Sequence, residues 1–384
     1  MLSNDPKIRD FLVAALRGEA VPWPAEWNGP AAIDGVHQAA VFHGVAGLLV
    51  DQPAALSAWP ARLTKALHGQ ARAQAMWELR HRQLMTQLLA EFEQRGIPSL
   101  MLKGTAIAYD LYGNPANRSR GDTDLLVAAD AVPQAEAALE QLGYAAGALG
   151  GVSPEFALQQ SWTLRRPDGG SHSVDLHWQV MNAPSLKRMF SFAECVAHSR
   201  ALPRLSPLAR AMDRVRLLIH TCLHRALQAN SPYFVDGSTY REPDRLIWLS
   251  DIHLIARSLS EDDWSALCEL AGAMGVSRQC LEGLRAVQAS LKTEIPASVL
   301  KKLDERGRED SVSPYFIKSH ALTRGWHDMR SFSGASTRLR YVLSRITATE
   351  GFLRAKYPHL DGRALPLLYG RRLIDLVWRR PDAS

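Results

Sequence analysis

The sequence predicts an α+β fold, on three observations. Between Ser99 and Leu142, short apolar runs alternate with helical ones in the order strand, helix, strand, helix. Further on, Pro167-Asp168-Gly169-Gly170 separates two extended runs, residues 161–166 and 171–180, as a hairpin turn does. On both sides of this block the apolar spacing is helical. A chain of 384 residues exceeds the roughly 250 to 300 residues that one core holds. We therefore divide it into an N-terminal helical region (1–95), a strand-bearing core (96–184), a helical domain (185–300) and a basic helical C-terminal region (301–384).

Residues 1–60 hold short helical runs broken by Pro22, Pro24, Pro30, Pro53 and Pro60. From Ala61 to Arg95 there is no proline, and Ala, Leu, Gln, Arg and Glu dominate, which predicts one long helix. Leu63 and Leu67, then Leu84, Leu88 and Phe92, recur at every fourth position as an apolar stripe suited to supporting the strand-bearing core. Gly96 stops this helix and Pro98 prevents its continuation. Ser99 to Leu102 then reads as a buried strand and Thr105 to Tyr112 as a helix opening directly after Gly104, with Asn114-Pro115 as the turn out. Asp124 to Val127 is a second strand; Pro133 to Leu142 is a helix with proline in its first turn, closed by Gly143. In the second hairpin arm Val174, Leu176 and Trp178 take one face, while Ser173, Asp175 and His177 take the other. Helices occupy 209–230, 244–259 and 262–291, and the tail reads as helical over 336–354 and 365–380.

Composition narrows the function class. An apolar fraction of 46% and a charged fraction of 22% are those of a soluble globular protein. The longest apolar run, Leu142 to Val152 with glycine counted, falls short of the roughly 18 to 20 residues a membrane span needs. The N-terminus lacks a basic segment followed by an apolar one, so a cytoplasmic protein is expected. Four cysteines without Cys-x-x-Cys spacing indicate buried thiols, not a disulfide framework or a zinc knuckle. The net charge of +6 is uneven: residues 301–384 carry 17 Lys/Arg against 9 Asp/Glu, so the rest of the chain is close to neutral. Such a tail suits RNA, a phosphorylated substrate or an acidic partner, or is simply a solvated face.

The chemistry concentrates between Leu100 and Val127. Asp122 and Asp124, two apart on a strand, point the same way with Cα atoms roughly 6 to 7 Å apart. They can converge on one or two divalent cations, and oxygen ligands favour Mg²⁺ or Mn²⁺ over zinc. Asp175, on a strand whose other face is packed, supplies a third carboxylate. Before them, Gly104 at a strand-to-helix turn lets backbone approach a ligand, and the N–H groups of Thr105 and Ala106 favour an anion. Lys103 offers a point charge to phosphate; Arg118 and Arg120 offer planar forks.

These motifs carry a resemblance. The order Leu-Lys-Gly-Thr-Ala (102–106), Leu-Tyr-Gly-Asn-Pro (111–115), Arg-Gly-Asp-Thr-Asp-Leu-Leu-Val (120–127) and Val-Asp-Leu-His-Trp (174–178) resembles the uncharacterised bacterial nucleotidyltransferase family of the DNA polymerase beta superfamily. It extends from about Arg62 to the run Trp248 to Ile252, with a looser echo at Leu367-Leu368-Tyr369 and Arg371-Arg372. The resemblance implies a minimal nucleotidyltransferase core, a small mixed sheet with helices behind it. It implies that Asp122 and Asp124 bind both metals, and that Asp175 binds the catalytic one and helps deprotonate the acceptor hydroxyl. Lys103, Gly104 and Thr105 would cradle the triphosphate, and Arg118 or Arg120 would neutralise the leaving pyrophosphate. The wider superfamily usually has Gly-Ser or Gly-Gly where this chain has Lys103-Gly104-Thr105.

The function expected is therefore Mg²⁺- or Mn²⁺-dependent transfer of an NMP from an NTP to a hydroxyl or phosphate acceptor, with pyrophosphate released. The acceptor is left open among a small molecule, a peptide or protein, and RNA. Two alternatives are an inactive NTP- or RNA-binding module and a tRNA-modifying toxin or defence enzyme. On the acceptor side stand four more residues. His177 either supports a carboxylate, meets the acceptor or is structural. His220 and His224, at i and i+4 of a helix, have a metal-compatible spacing but neither the intervening Glu nor a third ligand, so lining a pocket suits them better. Asp251 either faces the cleft or serves its own helix.

Overall fold

A computed structural model describes residues 5–27, 29–147, 152–167, 169–228, 233–235, 238–240, 244–316, 321–348, 350–357, 360, 362 and 364–378. Asp168 of the predicted turn, 148–151 of the apolar run, 229–230 of one predicted helix and 379–380 of the last lie outside the described residues. In chain order the helices are α1 (Pro6–Leu16), α2 (Pro30–His43), α3 (Ala46–Val50), α4 (Pro53–Leu56), α5 (Ala61–Gln94), α6 (Lys103–Leu111), α7 (Val132–Gln141), α8 (Phe192–Ala197) and α9 (Arg214–Gln228). They continue as α10 (Leu246–Arg257), α11 (Glu261–Met274), α12 (Ser277–Leu291), α13 (Ala297–Arg306), α14 (Ser313–Phe316), α15 (Ala321–Arg330), α16 (Ala335–Ile346), α17 (Glu350–Lys356) and α18 (Leu365–Trp378). The strands are β1 (Ser99–Met101), β2 (Asp122–Val127), β3 (Ala145–Ala146), β4 (Gln159–Arg165), β5 (Ser171–His177), β6 (Arg200–Ala201), β7 (Arg210–Ala211), β8 (Tyr233–Val235) and β9 (Ser238–Tyr240). The fold is α+β, with strands paired both parallel and antiparallel.

The chain divides into two compact units, one of Met1–Ala90, Met101–Gly121 and His198–Phe316, the other of Glu91–Leu100, Asp122–Ala197 and Ile317–Ser384. The long helix α5 forms as predicted and ends at Gly96, whose φ of 66° only glycine adopts without strain. Leu63, Leu67, Met85, Leu88 and Phe92 are buried along it, so the stripe includes Met85 where the fourfold spacing pointed to Leu84.

In the first unit Met101 of β1 pairs in parallel with Ala211 of β7, and β7 pairs with β6 antiparallel. The helices α9, α10 and α12 pack on one another. Leu218, Leu249, Ile252, Leu284 and Val287 are all fully buried there. Gly283 allows α12 to approach α9 closely, since a Cβ at that position would lie 2.7 Å from Cys222 Sγ. All four cysteines are buried.

Among the described residues of the second unit, β3, β4, β5 and β2 pair in the order β3-β4-β5-β2. The hairpin β4–β5 is closed by Arg166 N–H donating to Gly170 O, and Gly169 turns it at φ 80°. Trp162, 2% exposed, stands opposite Val174 on the apolar face of this hairpin. β2 lies parallel to β5, in the register Asp122 with Ser173, Asp124 with Asp175 and Leu126 with His177. Parallel neighbours need a crossover, and the chain between β2 and β5 supplies α7, which buries Ala135, Ala138 and Leu139. The tail adds α15 to α18, with Ala348, Leu353, Tyr357 and Leu368 in a small core of their own.

Candidate functional site

β2 and β5 bring their polar faces together because both strands alternate and are in register. Asp124 and Asp175 are paired directly across the parallel ladder, and His177 comes next after Asp175 on the same face. One donor atom from each of Asp124, Asp175 and His177 falls within 4.8 Å of the other two. His177 Nε2 lies 2.9 Å from Asp124 Oδ1, with the imidazole fully buried. Its Nδ1 is buried without a hydrogen-bond partner among the described residues. Asp175 is aimed by β4: Ser161, directly opposite it, donates from Oγ at 2.5 Å, and Gln159 Nε2 donates at 3.3 Å. Asp122 begins β2 at an exposed position on the same face as Asp124. Two carboxylates and an imidazole at this separation suit a divalent cation, with His177 either as a ligand or as the group that fixes the Asp124 carboxylate.

In the first unit, buried Met101 and Leu102 lead into α6. Lys103 takes a φ of +45°, one of only two non-glycine residues with positive φ among those described. Such a conformation costs roughly 1 to 3 kcal/mol and persists only where surroundings enforce it. Gly104 is next, and a Cβ there would lie 2.8 Å from Cζ and Nη1 of Arg118. The space that glycine leaves is thus filled by a guanidinium of the protein itself. Thr105 is 1% exposed, and its Oγ1 is buried without a hydrogen-bond partner among the described residues.

Two buried triads hold the segment that leads to Gly121. Arg118 donates from Nη2 to Asp251 Oδ2 at 2.7 Å, from Nε to Oδ1 at 3.3 Å, and from Nη1 to Ser119 O at 2.8 Å. Tyr112 donates its hydroxyl to Asp251 Oδ1 at 2.7 Å. Arg120 donates from Nη2 to Glu78 Oε1 at 2.6 Å, and Tyr109 donates to the same oxygen at 2.5 Å. The Arg120 guanidinium also sits 5.3 Å from the Trp77 ring. Burial, then Asp251, pushes the Tyr112 phenol well above its usual range. Burial also lowers Arg120 despite Glu78. Both arginines are 8% exposed.

A family model described as "Uncharacterised nucleotidyltransferase" matches residues 30–292, which include both the Lys103 turn and the Asp124, Asp175, His177 trio. The chain belongs to this family. No curated protein matches it.

In this member of the family the remaining sequence-predicted residues lie on the helices of the first unit. His220 is buried on α9, and His224, half-buried one turn later, meets the Trp248 ring edge to face at 5.2 Å. Asp251 is 1% exposed and serves Arg118 and Tyr112. Reading by residue type overlooked Ser161 and Gln159, the side chains that orient Asp175, and Glu78, which holds Arg120. The hairpin register was a usable signal for Ser161. Nothing local announced Glu78, which lies 42 positions before Arg120 on α5.

Proposed function

We propose that the protein transfers a nucleoside monophosphate from an NTP to a hydroxyl or phosphate acceptor and releases pyrophosphate. Family membership supports the transferase class. The observation that carries the finer reading is the cross-strand pair Asp124 and Asp175 with His177 against it. In this reading Asp122, Asp124 and Asp175 hold Mg²⁺ or Mn²⁺. The cation, when bound, offsets negative charge on the reacting phosphate and on the leaving oxygens. Asp175, kept in one orientation by Ser161 and Gln159, accepts the proton of an acceptor hydroxyl. The acceptor oxygen then bonds to the α-phosphorus, and the bond to the β-phosphate oxygen breaks. His177 holds the Asp124 carboxylate in place. Lys103, Gly104 and Thr105 receive phosphate oxygens, Lys103 by charge and Thr105 through its hydroxyl, which has no partner among the described residues. Arg118, the less enclosed arginine side chain at 10% against 2%, is the one assigned to the pyrophosphate side, and Arg120 braces the segment. Consumption of an NTP fits a cytoplasmic setting.

The test is transfer from radiolabelled NTP with Mg²⁺ or Mn²⁺, using cell extract as the source of acceptor and mass spectrometry to find the product heavier by one NMP. Asp122→Asn, Asp124→Asn and Asp175→Asn are each expected to lose at least about 10²-fold in rate while circular dichroism stays that of the wild type. Full activity in all three variants would overturn the mechanism.

A further inference from the structure

The helix α10 has a second polar face. Asp251 serves Arg118 and Tyr112, whereas Ser250, His253, Leu254 and Arg257, at i, i+3, i+4 and i+7, line a cleft of about 1190 Å³ in the first unit. This is somewhat larger than most small-molecule sites, which run to roughly 1,000 Å³. The other walls come from the end of α1, the end of α3 with Gln52, Trp264, and the turn from Leu291 to Pro296. Apolar surface is supplied by Leu16, Leu48, Leu254, Trp264 and Ile295.

The charges in the cleft sort cleanly. Arg17 and Glu19 satisfy each other through two bonds of 2.6 and 2.9 Å, and the third Arg17 nitrogen donates to Ser290 O. Lys292 adds to the attraction on Glu19, and the other charged residues of the lining are Arg257, Asp51 and Glu294. The side chains of Arg257, Lys292 and Glu294 make no hydrogen bond and no salt bridge among the described residues, while the Lys292 backbone N–H donates to Val287 O. Asp51 accepts from Asn117 Nδ2. Lys292 leaves α12 at φ +55°, the second strained non-glycine residue. The chain then alternates, so Lys292 and Glu294 stand exposed while Thr293 and Ile295 turn inward.

His253 supplies a defined acceptor. Thr293 Oγ1 lies 3.2 Å from Val287 O and 2.8 Å from His253 Nδ1; with the hydroxyl proton given to Val287 O, the imidazole donates at Nδ1. The neutral ring then presents a lone pair at Nε2. Burial, with Arg257 adding to it, holds this ring below its usual pKa and keeps it neutral at pH 7.

We propose that this cleft binds a zwitterionic amino acid with an apolar side chain. Arg257 and Lys292 take the carboxylate, His253 Nε2 and the Asp51 or Glu294 carboxylate take the ammonium, and the leucine and tryptophan wall takes the side chain. A purely anionic ligand would leave both carboxylates uncompensated, and a purely cationic one would leave both cations so; an ion of each sign matches the set. The proposal does not depend on nucleotidyl transfer.

The experiment is isothermal titration of the full chain with L-leucine, with 4-methylpentanoate, which lacks the ammonium, and with 3-methylbutylamine, which lacks the carboxylate. Leucine is expected to bind at one site, and each analogue to bind at least about tenfold more weakly, a difference of about 1.4 kcal/mol. Arg257→Gln and Glu294→Gln, both at exposed positions where folding is undisturbed, are each expected to weaken leucine by a similar factor. No saturable binding of leucine up to about 10 mM, equal binding of either analogue, or unchanged binding in both variants overturns the proposal.

Discussion

A Cβ on Gly104 would lie 2.8 Å from the Arg118 guanidinium, and Arg118 has little room to yield, since Nε and Nη2 are held by Asp251 and Nη1 by Ser119 O. Gly104→Ala is therefore expected to cost about 1 to 3 kcal/mol, the range for overpacking. The cost should fall when the guanidinium is removed. A double-mutant cycle with Arg118→Ala, read by urea denaturation, measures this; an equal cost in both backgrounds would refute the contact. Lys103 allows a second separation, of backbone from charge. Its φ of +45° suits glycine, so Lys103→Gly is expected to be more stable than Lys103→Ala by about 1 kcal/mol. Both variants lose the ammonium and should lose transfer equally, with stability and rate measured on the same preparations. At this scale the Lys-Gly turn and the Asp-x-Asp pair were legible because each is local. The partner of Arg118 was not, because Asp251 lies 133 positions away and a long-range ion pair leaves no periodic trace.

Elements were legible in proportion to their length. The helix α5 and the hairpin β4–β5 follow from composition and a turn signal, and strict alternation in β5 was enough to place Asp175 and His177 on one face. β6 and β7, two residues each, are too short to show any alternation and were missed, as was β3. The strand β2 begins at Asp122, two residues before its apolar run suggested, because ladder pairing with β5 continues past the last apolar side chain. The helix α10 was read as a helix with uncertain duties for Asp251. Its structural duty is to hold Arg118 in a pair whose side chains are 10% and 1% exposed. Removing one member of such a pair strands the other charge away from water. Asp251→Ala is expected to cost about 3 to 5 kcal/mol, and Asp251→Asn less, because an amide oxygen still accepts from Tyr112. Denaturant midpoints at constant slope would show this order, and a loss below about 1 kcal/mol for the alanine variant would place the pair among solvated ones.

For the whole molecule, no helix among the described residues is long and apolar enough to cross a membrane, and the excess positive charge sits in the last 84 residues, 301–384. A pH sensitivity lies elsewhere, in His43 at the end of α2. It is 2% exposed, and its Nδ1 accepts from Leu246 N–H at 3.3 Å, which requires the neutral ring. Burial, reinforced by Arg9 and Arg245, pushes its pKa down to about 3. In the unfolded chain the ring titrates at its ordinary value of about 6.5. Below that pH the unfolded state binds a proton that the folded state refuses, so stability is fully present above about 6.5 and falls as the pH drops toward 3. At pH 5 the loss amounts to about 2 kcal/mol, and His253, whose pKa is also lowered, adds in the same direction. His43→Gln removes the titration while keeping an acceptor for Leu246. Urea denaturation at pH 8 and pH 5 should therefore show a steeper loss for the wild type than for this variant, by about 2 kcal/mol. Parallel losses in the two proteins would mean that acid acts on this protein through its carboxylates and not through the buried imidazole.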